Sequence, residues 1–181
     1  MHRNHGKPIP AVEAILEPWG PALGPDRRAY RNHVYRVIHF CAVLSPLSGV
    51  DFQQVLVAAC FHDIGIWLDK TFDYLAPSRE RARRFLADLG RPGWTPAVEA
   101  MIAWHHKLTP VEPSLAPLAE VFRRADWIDV SLGSLRMGLP PARISAIRRA
   151  FPNAGFHHRL AVLSLRRLAE APLDPLPMMR W

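Results

Sequence analysis

Four short stretches of the chain carry side chains able to do metal or acid–base chemistry. They are His33 in RNHVY, the adjacent His62 and Asp63 in CFHDIGIW, the adjacent His105 and His106 in AWHHKL, and Asp126 in RADWID. CFHDIGIW raises the sharpest question, because two ionisable groups inside an apolar run are costly to bury unless something pairs with them. Imidazoles and carboxylates together suit Mn, Fe, Co, Ni or Zn better than Ca or Mg, which prefer oxygen alone.

The elements that must position these groups read as helices throughout. No segment alternates polar and apolar residues convincingly, so the fold class is all-α. Helices are expected over 11–18, 27–45, 51–67, 78–89, 95–107, 114–132, 140–150 and 155–171. Pro46 and Gly49 separate the second from the third, Pro77 precedes a cap at Ser78, and Gly90 suits a left-handed cap after the fourth.

Helical wheels then sort the ionisable groups. In 27–45 the apolar stripe is Tyr30, Val34, Val37, Ile38, Cys41 and Leu44; His33 falls within it, and His39 lies on the opposite face as a surface residue. In 51–67 the stripe runs Phe52, Val55, Leu56, Ala59 and Ile66, flanked by His62 and Asp63. His105 continues the stripe of Val98, Met101 and Ile102, with His106 a quarter turn aside. Asp126 centres the stripe of Leu115, Ala119 and Phe122, and Asp129 follows one turn on, placed to accept a hydrogen bond from a ligand histidine. A lone inward histidine is ordinarily a hydrogen-bonded core residue. Gathering several imidazoles and carboxylates from four helices without a cation would leave the carboxylates repelling each other, whereas a divalent metal turns the same set into ligands.

With 181 residues, 49% of them hydrophobic, the chain can bury a substantial core and reads as one domain over 1–181. Cys41 and Cys60 lack any CxxC spacing and read as buried free thiols in a reducing compartment, which makes the cytoplasm the expected location. The proline-broken N-terminus is unlike a signal peptide, and no apolar run is long enough for a bilayer, so no membrane partner is expected. A formal charge of +7 would steer anions toward the protein, but charge alone does not choose among nucleic acid, lipid and small phosphorylated ligands. The arginine clusters at 79–84, 148–149 and 166–167 read as solvated helix faces. His157 and His158 read as surface residues, His2 and His5 belong to an N-terminal arm, and PLDPLPMMRW forms an irregular tail. Trp67, Trp104 and Trp127 read as core packing near the site.

In order and spacing, His33, then His62-Asp63 followed by Ile-Gly, then Asp126 preceded by alanine resemble the HD-domain superfamily of metal-dependent phosphohydrolases. The resemblance runs from about Tyr30 to Val130. It implies an all-α bundle with a metal-binding core over about 27–132, followed by C-terminal helices and a Pro-rich tail over 133–181. The implied ligands are His33, His62, Asp63 and Asp126. Two-metal members carry extra histidines, for which His105 and His106 are candidates. No histidine occurs between Asp63 and His105, Ser78 points inward near that place and Glu80 outward, so the resemblance implies a single transition metal.

The implied reaction is hydrolysis of a small phosphorylated compound, a nucleotide among them, by metal-activated water. Asp63 would share the water, His105 or His106 would protonate the leaving group or stabilise phosphate, and Lys107, with Arg79 or Lys70 behind it, would neutralise phosphate oxygens. Two other readings stay open. One is a di-iron oxygenase or a metal-dependent hydratase on the same helices. The other is a non-catalytic module binding a nucleotide or nucleic acid, the latter less favoured, for which steep salt dependence without a metal requirement would be the mark. Oligomeric state is open.

Overall fold

A computed structural model describes residues 7–47, 49–112, 114 and 116–179. His2, His5 and Leu115 lie outside the described residues. Ten α-helices follow in order: α1 (Pro10–Leu16), α2 (Gly20–Leu23), α3 (Arg27–Leu44), α4 (Gly49–Phe61), α5 (Gly65–Leu68), α6 (Leu75–Asp88), α7 (Thr95–Trp104), α8 (Pro117–Val130), α9 (Pro141–Ala150) and α10 (Phe156–Glu170). No β-strand occurs among the described residues, and none of their helices is long and apolar enough to cross a membrane.

The central helix is α3, which packs against α4, α8 and α9, while α7 packs against α4, α6 and α8. Tyr30, Val34, Val37, Ile38 and Cys41 are buried as the wheel anticipates, but so are Asn32, Tyr35 and Arg36 on other faces. His39 is half-buried rather than exposed, stacked on the ring of Phe151, because α9 ends against that face. The second half of α4 is enclosed on all sides, with Val55 through Phe61 all buried, as an unbroken apolar run requires. Each large apolar side chain so buried contributes about 1.5–3 kcal/mol.

Three expected helix bounds are corrected, the first being that the helix expected over 95–107 stops at Trp104, which leaves His105 and His106 in the turn beyond it. The helix expected over 51–67 stops at Phe61; residues 62–64 form a turn, and α5 resumes at Gly65. Bonds from Ile64 N–H to the Phe61 carbonyl and from Ile66 N–H to the Asp63 carbonyl close that turn. Helix α6 begins at Leu75, so Pro77 lies inside its first turn, where a missing N–H costs nothing. Ser78 is therefore no cap: it is fully buried and its Oγ accepts from the Gly65 N–H at 3.1 Å. Gly90, at φ +68°, ends α6 as expected, with Arg91 N–H reaching the Leu86 carbonyl. The arginine run after Ser78 is met mostly by intramolecular acids: Arg83 and Arg84 by Glu80, Arg81 by Asp69, Arg79 by Glu99.

Gly65 is where α5 presses on α6. A Cβ there would stand 2.9 Å from the Tyr74 carbonyl oxygen and 3.0 Å from Ser78 Oγ. Gly65→Ala is therefore expected to destabilise the fold by about 1–3 kcal/mol in urea unfolding. An unchanged midpoint would contradict this packing.

Candidate metal centre

Two of the imidazoles occupy helix ends. His62 is the first residue beyond α4 and His105 the first beyond α7, where last-turn carbonyls lack helical partners. His62 Nδ1 lies 2.9 Å from the Ala59 carbonyl and His105 Nδ1 lies 2.8 Å from that of Ile102. A carbonyl only accepts, so Nδ1 carries the proton in each ring, and Nε2 of the neutral ring points inward as a lone pair. His33, midway along α3, is held the same way: its Nδ1 stands 2.6 Å from Asp129 Oδ2. Asp129 is clamped in turn by Arg36, whose Nε and Nη2 reach Oδ1 and Oδ2 at 2.6 and 2.8 Å.

These constraints aim the donors at one another. His33 Nε2 and His62 Nε2 are 2.8 Å apart, Asp63 Oδ2 is 3.4 Å from each, and Asp126 Oδ1 is 3.5 and 3.7 Å from them. His105 Nε2 lies 3.3 Å from Asp63 Oδ1, and His106 Nδ1 lies 3.7 Å from Asp126 Oδ2. Three overlapping triads result, His33–His62–Asp126, His62–Asp63–His105 and His105–His106–Asp126. Only the side chain of His106, at 14%, is more than marginally exposed. Asp63 Oδ1, both oxygens of Asp126 and His105 Nε2 are buried without a hydrogen-bond partner. Each such group costs about 1–3 kcal/mol, more when charged, so the buried donor set fits a bound cation.

Electrostatics agree. Burial works against ionisation of Asp63 and Asp126, yet the surrounding imidazoles hold both carboxyls below the usual range. Burial likewise disfavours charged His33, but Asp129 and Asp63 outweigh it and raise the ring to about 9; His105 is raised by Asp63 and Asp126. Metal-free, the cluster gathers protons where a cation would stand. His106 goes the other way, lowered to about 3 by burial and by the charge of His105.

The cationic candidates divide between two surfaces. Lys107 directly follows His106 and, with Arg79, lines a cavity of about 430 Å³ beside Trp104; Arg79 also pairs with Glu99 at 2.9 Å. Lys70 lines a different cavity. His157, expected at the surface, is half-buried with Nε2 2.9 Å from the Asp129 carbonyl oxygen, whereas His158 is exposed. Trp67 is buried; Trp104 and Trp127 are half-buried.

Three neighbours of the cluster escaped sequence reasoning. Arg36 and Asp129 are 93 residues apart, and only the inward position of Asp129 hinted at a buried partner. Tyr74, at the start of α6, is 1% exposed with its hydroxyl 2.7 Å from His106 Nε2. Phe156 stacks on His33 at 4.0 Å between ring centroids, a contact no local pattern announces.

Residues 30–131 match the family described as HD domain, a span of more than half the chain. No curated protein and no solved structure gives a significant match.

Proposed function

We propose, because the chain belongs to the HD domain family, that this member is a metal-dependent phosphohydrolase of the cytoplasm acting on a small phosphorylated compound. The observation that carries the reading is the set of buried, unpartnered donor atoms of Asp63, His105 and Asp126 beside the paired imidazoles of His33 and His62. One divalent ion, Mn, Fe, Co, Ni or Zn, held by His33, His62, Asp63 and Asp126, would supply a Lewis acid that polarises a phosphoryl oxygen and makes water ionise near neutral pH.

The chain's own groups do the rest. The two oxygens of Asp63 face different partners: Oδ2 looks toward His33 and His62, and Oδ1 toward His105. Oδ1 is therefore placed to take the proton of an attacking water as its oxygen bonds to phosphorus. His105, with Nε2 facing Asp63 and drawn toward its charged form by Asp63 and Asp126, is placed to give a proton to the leaving oxygen as the old P–O bond breaks. The 3.3 Å gap from Asp63 Oδ1 to His105 Nε2 then lets the proton return. His106 stays neutral and oriented by Tyr74, suited to hydrogen bonding with phosphate rather than to proton donation. Approach from the side of His106 would bring the phosphate past Lys107 and Arg79, whose charge offsets that of its free oxygens.

Six donors exceed the four that a single ion uses here, and the His105–His106–Asp126 triad favours a second reading, a two-metal oxygenase or hydratase. Phosphate release from a panel of phosphomonoesters and nucleotides, with metal-loaded and chelated protein, separates them. The phosphohydrolase releases phosphate only when loaded, and Asp63→Asn abolishes it. Turnover that needs oxygen, or no release with any metal, would contradict it.

A further inference from the structure

A cavity of about 530 Å³ lies between α2, the end of α5 and α10, and no donor of the metal cluster lines it. Its volume falls within the range of about 300–1,000 Å³ in which small ligands are held. Trp67 and Phe72, 7% and 9% exposed, supply an aromatic wall. Four cations face the same space, Lys70, Arg159, Arg166 and Arg167, against two carboxylates.

The carboxylates do not cancel the charge. Asp26 is engaged on one oxygen by Trp67 Nε1 at 2.9 Å and by Arg159 Nε at 3.1 Å, and Arg167 is paired with Asp174 at 2.9 Å. Lys70 and Arg166 pair with no acid among the described residues. Lys70 sits on the turn after α5 at φ +52°, a conformation a lysine seldom adopts. The two unpaired cations line the same cleft as the two aromatic rings, a combination suited to a ligand that carries both a phosphate and a planar ring.

We propose that this cleft is a second binding site, for an aromatic monophosphate of the nucleoside monophosphate kind, with Lys70 and Arg166 on the phosphate and Trp67 and Phe72 against the ring. The site is distinct from the metal cluster: Trp67 backs onto Phe156 at 6.3 Å between centroids, and Phe156 in turn covers His33. Binding here needs no metal and stands whether or not the chain hydrolyses phosphate esters.

Calorimetric titration with adenosine 5′-monophosphate tests it, using the wild-type chain, its chelator-treated form, His62→Ala, and the double variant Lys70→Glu/Arg166→Glu, whose positions are exposed and tolerate charge. Binding is expected to be equal in the wild-type and chelated protein and in His62→Ala if that variant folds. The double variant should bind at least about tenfold more weakly. Inorganic phosphate and adenosine alone should each bind more weakly than the nucleotide. Unchanged affinity in the double variant overturns the proposal, and binding lost on chelation places the phosphate at the metal cluster instead. No binding at millimolar concentration also overturns it and leaves the metal centre standing.

Discussion

His62→Ala is expected to weaken binding of a divalent transition metal by at least about 100-fold, because removing a residue that merely supports a ligand already costs about 10–100-fold. Two properties single His62 out. Its Nε2 stands 2.8 Å from that of His33, and it belongs to two of the three donor triads. Its Nδ1 is committed to the Ala59 carbonyl, so the ring cannot turn to serve another purpose without losing that bond. Competition against a chromophoric chelator measures the change, with His158→Ala, an exposed imidazole, as the control that should bind like wild type. Metal must displace the inward proton of His33, so affinity should also rise with pH toward 9. Equal affinity in His62→Ala and wild type would remove His62 from the centre.

Arg36→Met is expected to cost about 3–5 kcal/mol of stability, since removing one member of a buried ion pair strands the other. Arg36 is 1% exposed and Asp129 fully buried, and the two share both carboxylate oxygens. The guanidinium also donates to the Phe151 and Pro152 carbonyls, fastening α3 to the turn before α10. Urea unfolding at neutral pH measures the loss. Asp129 gives the pH dependence its sign: burial alone would raise its pKa, but His33 and Arg36 hold it well below the unfolded value. The pair's contribution is then complete above about pH 4 and fades as pH falls further, so the deficit of Arg36→Met should narrow in acid. In a cycle with Asp129→Asn the double variant should lose less than the two singles together. A deficit under about 1 kcal/mol at pH 7 would show that Asp129 finds other partners.

What could be read from the sequence was whatever a helix reports about itself. His33, His105 and Asp126 extend apolar stripes, so a wheel places them inward, and the structure buries all three completely. Asp129 followed from the same period, one turn on. The wheel misplaced the chain at His62 and Asp63, because it assumes the helix continues where the His62 ring and a tight turn end it. That break changes which atoms face inward without changing which residues do. Contacts between distant segments leave no periodic trace: Arg36 looks like a surface cation until Asp129 is seen beside it, and Phe156 like an ordinary helix start until it covers His33. Ser78 resembled a cap because serine after proline commonly is one. Only the close approach of Gly65 shows why a small hydroxyl is buried there.

We take the buried imidazoles and carboxylates of α3, of α8 and of the turns that follow α4 and α7 to form a metal centre. Elemental analysis of the full chain purified without chelator tests it most directly. About one transition metal per chain is expected, removed by chelation and restored on adding the ion back. A chain that stays metal-free after exposure to each of Mn, Fe, Co, Ni and Zn would contradict it.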